Sequence, residues 1–320
     1  MAAFARPDAL RSLAQLVTTL AAYGAGWGLM LLLFNVSYAL VLIVSVPVAG
    51  LLVRLFIIFH DCGHGSFFRS RAVNAMVGGF IGVLTLTPYD AWRRRHAAHH
   101  ADTGNLDTDR SLGSFWLLTV DEYRALHPWG RALYRLYRHP IVLFGIGAMF
   151  HFVVLQRFPQ RVPRSLRRRE WRSVLVTDIG IILLGGTMIA LAGWQRVLLV
   201  QLPITAFSGA IGMWLFFVQH QFADAYWKRQ PQWSFHAASL HGSTHYDLPR
   251  ILHWFTGNIG FHHVHHLNSR IPNYRLEQCL SHVPALREAP KLNLRQSFRC
   301  ASLALWDEQR SMLVAFADVP

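Results

Sequence analysis

From Ser12 to Val53 the chain carries no charged residue. A run of that length supplies two membrane crossings, each of which takes roughly 20 apolar residues. Asn35-Val36-Ser37 is the natural turn between them, which predicts a hairpin with arms at about 14–34 and 38–59. A cleaved signal peptide is a poorer account, because its apolar core is short and is followed closely by a small-residue cleavage site, whereas this run continues far past such a core. A second apolar pair, 173–194 and 197–219, is interrupted by Gln195-Arg196 and reads as a second hairpin. The composition agrees: the chain is 52% apolar and only 15% charged, a charge content low for a soluble domain.

The formal charge of +14 is nearly all arginine, with Lys228 and Lys291 the only lysines. Such a balance suits nucleic acid or anionic lipid, and in a multi-span chain the lipid surface is the expected partner, with no nucleic acid. Arg157, Arg161, Arg164, Arg167, Arg168, Arg169 and Arg172 form the densest run, which the positive-inside rule keeps in the cytoplasm. If Ile141 to Leu155 crossed the bilayer, that run would be separated from the histidines described below. This stretch and the Gly-rich Ala72 to Thr87 are also short for crossings, so both are predicted to be re-entrant or interfacial helices. The expectation is an all-α membrane protein forming a single domain over 1–320. It has four transmembrane helices as two hairpins, and a cytoplasmic helical cap from about Asn268. Both termini and the histidines described below are expected to face the cytoplasm. Cys62, Cys279 and Cys300 are odd in number and scattered, which suits a reducing compartment, and Cys62 reads as a small packing residue. No internal repeat appears.

Three histidine clusters follow the apolar stretches: His60-Asp61-Cys62-Gly63-His64, His96-Ala97-Ala98-His99-His100 and His262-His263-Val264-His265-His266. Residues three and four apart share one helix face, so HxxxH aims two imidazoles together and HxxHH three. Neutral imidazole is the commonest side-chain metal ligand, and the clustering favours metal binding. Isolated His127, His139, His151 and His282 read instead as ordinary polar histidines. Within the third cluster the spacing is satisfied by His262, His265 and His266, leaving His263 beside the ligands rather than among them.

Several metal chemistries compete. HDCGH imitates the HExxH of zinc proteases, but Asp61 is one methylene shorter than the general-base Glu, and one zinc leaves two clusters without purpose. A membrane cytochrome holds haem between histidines inside the bilayer, whereas these lie at span ends. A cation transporter needs ionisable groups at mid-membrane depth, and only Asp178 approaches that. Two non-haem irons held mainly by histidine, with open positions for O2, fit the count best.

The order HxxxH, HxxHH, HxxHH around two hairpins resembles the membrane fatty acid desaturase family over nearly the whole chain. HDCGHGSF (60–67), TGNLD (103–107), LFFVQHQF (215–222), WFTGNIGFHHVHHL (254–267) and RIPNY (270–274) are similar to bacterial and cyanobacterial acyl-lipid desaturases of the Delta-12, or omega-6, type. The resemblance implies metal ligands at His60 and His64, at His96, His99 and His100, and at His262, His265 and His266. His220, within Val218-Gln219-His220-Gln221, matches the additional histidine that completes the family's site, making a ninth. The implied activity is O2-dependent introduction of a cis double bond into an acyl chain of a membrane lipid, on two Fe ions. Its electrons come from an external carrier, expected to be a ferredoxin-like donor, because no haem-binding HPGG occurs and Gly24-Ala25-Gly26-Trp27-Gly28 lies inside an apolar span rather than after a strand.

Around these ligands, Asp61, Asp102, Asp107 and Asp109 are candidates for orienting imidazoles, or are solvated surface acids, the better reading for Asp109. Asn258 is placed to reach the site through a water. His241-Gly242-Ser243-Thr244-His245 is an extra HxxxH that departs from the family pattern, and Gly-Ser-Thr predicts a loop there. Tyr89, Trp92, Trp214, Phe217, Trp254 and Phe261 are candidate walls of an acyl channel, with an interfacial aromatic belt as the alternative for Trp214 and Phe217. A hydroxylase acting on an alkane, a fatty acid or a carotenoid, and a non-catalytic metal-binding or transport protein, are the competing functions.

Overall fold

A computed structural model describes residues 1–108, 110, 115–160 and 162–319, so Asp109 and Arg161 lie outside the described residues. Helix α1 (Ala9–Phe34) starts at an Asp8 cap whose carboxylate accepts from the N–H groups of Leu10 and Arg11, satisfying donors that have no intrahelical partner. It turns through Asn35–Ser37 into α2 (Tyr38–His64), the connection expected. A Cβ on Gly26 would lie 2.6 Å from the Val48 side chain, so glycine lets the two backbones approach closely, the packing that stabilises helix pairs in lipid. Helix α2 continues past the predicted end of its span and stops at Gly65, whose φ of +68° is left-handed. The first histidine cluster is therefore the last turn of α2.

The stretch expected to be re-entrant forms α3 (Arg71–Leu84), which meets α4 (Tyr89–Asp102) at a bend of 102°. Glycine makes that bend possible: a Cβ on Gly82 would stand 2.5 Å from the Thr87 carbonyl oxygen, and Gly78 lies under the Tyr89 ring. The Tyr89 hydroxyl donates to the Cys62 carbonyl at 2.7 Å, locking the start of α4 onto α2. Cys62 is itself buried, the packing role expected of it.

Beyond a two-residue strand β1 (Leu118–Thr119) come α5 (Val120–Ala125) and α6 (Pro128–Arg138). A π-helical turn, Ile141–Ile146, then leads into α7 (Gly147–Val153). Segment 128–157 bends by 64°. The second apolar pair forms α8 (Arg167–Ala192) and α9 (Trp194–His220). Its turn falls at Gly193, φ +84°, and Gln195-Arg196 begins α9 instead of connecting the helices. A glycine that adopts positive φ freely is a better break than two helix-compatible polar residues.

Four helices, α1, α2, α8 and α9, are long and apolar enough to cross a membrane, and up to six crossings result if each bent pair counts as one. On α8, Val176, Ile182, Leu183 and Leu191 are all exposed, an apolar surface of the kind lipid covers.

The remainder is not all-helical. Short helices α10 (Phe235–His241), α11 (Arg250–Phe255), α12 (His262–Leu267), α13 (Asn273–His282) and α14 (Leu294–Cys300) alternate with strands β2 (His245–Asp247), β3 (Lys291–Asn293), β4 (Leu303–Asp307) and β5 (Met312–Ala315). Strands β2 and β3 pair in parallel. Strand β4 lies between β1, parallel to it, and β5, antiparallel. Leu303 to Trp306 and Met312 to Ala315 are apolar runs of strand length around a turn, and this overturns the expectation of a wholly helical cap. His241 ends α10 and His245 opens β2, so the turn between them holds while the two histidines belong to regular elements.

Candidate metal centre

All nine histidines converge at one end of the bundle. The i, i+4 spacing on α2 puts His60 and His64 on one face, and their rings pack 4.7 Å apart between centroids. The bend before α4 brings His96 within 4.7 Å of His60 and His100 within 4.7 Å of His64. His220 is the last residue of α9, and α12 supplies the third cluster, buried throughout.

The ligand-capable nitrogens fall into two groups in which every such atom lies within 4.8 Å of the others: His60, His64, His96, His100 and His265 in one, His99, His220, His262 and His266 in the other. The sequence clusters do not map onto these groups one to one. Helix α4 gives two histidines to the first group and one to the second, while α12 gives one and two.

The nitrogens face one another in a way that fits bound ions. Nε2 of His220 stands 3.1 Å from Nε2 of His99 and 2.9 Å from Nε2 of His262, which is 3.1 Å from that of His266. In the other group Nε2 of His100 is 3.1 Å from that of His96 and 3.0 Å from that of His265. Two adjacent ligands on one ion, each at about 2.1 Å, are about 3 to 3.4 Å apart for angles between a right angle and the tetrahedral one. Nδ1 of His220 donates to the Gly242 carbonyl at 3.0 Å, so its Nε2 presents a lone pair inward. Nε2 of His60 and of His64 are buried without a hydrogen-bond partner, a costly arrangement that a metal ion relieves. Burial first, and the neighbouring imidazoles second, hold His262, His265 and His266 well below the usual histidine range, which keeps them neutral and able to coordinate.

Of the residues expected to orient ligands, Asp61 lies against His60. Its Oδ1 lies 3.3 Å from Nδ1 of His60, and Oδ2 accepts from the backbone N–H and side-chain amide of Asn273 at 2.7 and 2.8 Å. Gln15 on α1 donates to Asn273 Oδ1 at 2.9 Å, so three distant segments fix the His60 ring. Asp107 does not face the histidines: it accepts from Arg229 at 2.7 Å and from the Gln230 N–H at 2.8 Å, and is exposed. Asp102 is exposed as well. Both lie at or beyond the end of α4, past the face that carries His96 and His100. The Asn258 amide turns toward the Asn273 carbonyl, 3.5 Å away. His263 is fully buried but points away from both groups, toward His245, with ring centroids 5.9 Å apart. Burial lowers it to about 4.

Asn273 was missed as a functional residue although it lies within RIPNY. That motif places it at the start of α13 after Pro272, where its N–H is free to be donated.

Beside the histidines lies a cavity of about 770 Å³ with His60, His96 and His262 in its wall. Leu52, Val53 and Phe56 of α2 and Gly209, Gly212 and Phe216 of α9 make much of the rest. Of the six aromatic residues expected to line a channel only Trp92 does. On α9 the lining face carries Met213 and Phe216. Trp214 and Phe217, one position on, turn about 100° away and pack against Phe144. Tyr89 is used by Cys62, Trp254 lies under Arg54 and Phe261 stacks on His253.

Residues 36–298 match the family model described as fatty acid desaturase. The chain is 43% identical over 316 residues to a protein of Bacillus subtilis (strain 168) named fatty acid desaturase, covering 99% of this chain and 89% of that one. Two proteins of Synechocystis are more distant. An sn-1 acyl-lipid omega-3 desaturase (ferredoxin) is 29% identical over 265 residues, 79% of this chain and 67% of its own. An sn-1 oleoyl-lipid 12-desaturase is 27% identical over 222 residues, 69% and 62%. A match that runs through all three histidine clusters, His220 and the long apolar helices α2, α8 and α9 makes this chain a member of the fatty acid desaturase family, and an oxidoreductase.

Proposed function

We propose that the protein is an O2-dependent di-iron desaturase that introduces a cis double bond into an acyl chain of a membrane lipid. The observation that carries this reading is the shared wall: an apolar cavity of about 770 Å³ is bounded directly by His60, His96 and His262. His60, His64, His96, His100 and His265 would hold one iron, and His99, His220, His262 and His266 the other. Two irons supply the power to oxidise an unactivated methylene, with one dioxygen, two electrons and two protons leaving as two waters while adjacent carbons lose one hydrogen each.

The chain's own residues place and shield the substrate. Leu52, Val53, Phe56 and Phe216 exclude water from the reacting carbons, and Asp61 with Asn273 keeps the His60 ring from rotating. The arginine run, by the positive-inside rule, supports a centre on the cytoplasmic face of a bacterial inner membrane, within reach of a soluble donor. A ferredoxin-like carrier is supported by the relative whose name includes ferredoxin and by the basic composition. The motifs favour a Delta-12 or omega-6 position. Relatives named for the 12 and omega-3 positions match at similar identity, so product analysis decides.

The test is gas chromatography with mass spectrometry of derivatised fatty acids from cells expressing the protein, beside a His265→Ala control. A new unsaturated product absent from the control is expected. A hydroxylated product would turn the reading to a hydroxylase, and metal movement across vesicles without any product would turn it to a transporter.

A further inference from the structure

One part of the cavity wall is not apolar. Arg95, Gln156, His151 and Gln160 line it next to His96. Gln156 is 2% exposed. Its Oε1 accepts from Nη2 of Arg95 at 2.8 Å and its amide donates to Nε2 of His151 at 3.1 Å. The only carboxylate beside Arg95 among the described residues is Glu170, which is fully buried, with Oε2 3.7 Å from Nη1. Glu170 is already held by Arg94, whose Nε and Nη2 both donate to Oε1. Two guanidinium groups thus share one carboxylate, leaving one net positive charge at the cavity wall. An uncompensated charge in so apolar a place is costly unless something completes it.

The rest of the cavity has the opposite character. Its α9 wall runs from Gln219, level with the histidines, down to Thr205. That is about 21 Å at 1.5 Å per residue, through Ser208, Gly209 and Gly212. The space is long and apolar, and its one charged lining residue, Arg95, precedes His96 on α4.

We propose that Arg95, aimed by Gln156, receives the oxygen-bearing head of the acyl substrate. The hydrocarbon then runs from the histidine end along the α9 wall toward Thr205, and the site of oxidation is counted from the head rather than from the methyl end. This rests on the desaturase reading for its regiochemical part but not for its binding part. The head chemistry is a carbonyl or anionic oxygen that accepts from a guanidinium; its sources are a free carboxylate or an esterified phospholipid.

Two experiments on the full-length protein test it. In cells supplying saturated chains of sixteen and eighteen carbons, the double bond is expected at the same number of carbons from the carboxyl in both. A constant distance from the methyl end would overturn the proposal. Separately, native mass spectrometry of detergent-purified protein compares retention of palmitate, dipalmitoyl phosphatidylglycerol and hexadecane. Arg95→Gln is expected to lower retention of at least one oxygen-bearing probe by about tenfold or more while hexadecane is held as before. Which probe is lost names the source. Equal retention of both oxygen-bearing probes by variant and wild type would overturn the proposal. Gln156→Leu, which leaves the Arg95 and Glu170 pair untouched, is expected to give a several-fold loss and covers a failure of the arginine variant to fold. If wild type makes no unsaturated product, the desaturase reading falls while the retention result still decides the head site.

Discussion

Asn273 gives both its backbone N–H and its side-chain amide to one oxygen of Asp61, at 2.7 and 2.8 Å, although 212 positions separate them. The other oxygen of Asp61 meets Nδ1 of His60. Partners of this kind fix ligand orientation, and their loss commonly costs 10- to 100-fold in metal affinity or activity. Asn273→Ala is expected to lower bound iron and product yield by about tenfold with the helical content unchanged. Iron analysis of purified protein beside circular dichroism checks it, and full iron content in the variant would remove Asn273 from this role.

His265 sits in the five-histidine group and is completely buried. Its replacement by alanine is expected to abolish the unsaturated product while protein level stays near wild type, because the hairpins are held by packing far from it. Blotting of membranes alongside fatty acid analysis separates the two. Undiminished product would exclude the residue as a ligand.

A Cβ on Gly212 would meet nothing within 4 Å, and the residue lines the cavity. Gly212→Phe is therefore expected to fill the hydrocarbon space without disturbing backbone. Conversion of eighteen-carbon chains should fall about tenfold relative to shorter ones, with iron content constant. A methylene in an apolar pocket is worth about 1–3 kcal/mol, so a tenfold difference, about 1.4 kcal/mol, needs only about one carbon to be displaced. An unchanged chain-length profile would place the substrate elsewhere.

The exposed Asp107 carboxylate closes a loop through Arg229 and Gln230. Asp107→Asn is expected to leave iron content unaltered, which distinguishes it from Asp61→Asn, where iron should be lost. Comparable iron loss in both would restore Asp107 to the neighbourhood of the centre.

Gly82→Ala would push a methyl against the Thr87 carbonyl and open the bend that delivers α4 to α2. Overpacking of this kind costs about 1–3 kcal/mol. A lower midpoint of thermal aggregation in detergent, with weaker iron retention, is the expected result; an unshifted midpoint would show that the turn yields freely.

Much of this was legible because charge and spacing speak directly. The uncharged run from Ser12 marked two long apolar helices and the residues that join them, and HxxxH and HxxHH named eight histidines that the fold does gather. His220 needed a family resemblance, since a lone histidine at a helix end has no periodicity to mark it. Asn273 and Arg95 were illegible for another reason: each acts across more than 60 positions, through Asp61 and Gln156, and no local pattern encodes such a meeting. The channel walls were misjudged because aromatic identity says nothing of helix phase. Trp214 and Phe217 differ from Met213 and Phe216 by a single step in sequence and by a whole face in space. The terminal strands failed the helical expectation because mixed polarity around them hid two continuous apolar runs of strand length, Leu303 to Trp306 and Met312 to Ala315, which show no helical period.

The crossing of clusters between the two histidine groups has a developmental meaning for the centre. Because α4 and α12 each contribute to both groups, neither half can be laid down without fixing the helices that the other half needs. Ion loading should accordingly be all-or-none: the first ion captured pins α4 against α12 and pre-forms the second pocket, so titration with Fe(II) ought to run from empty to doubly filled protein with little of a one-ion species between.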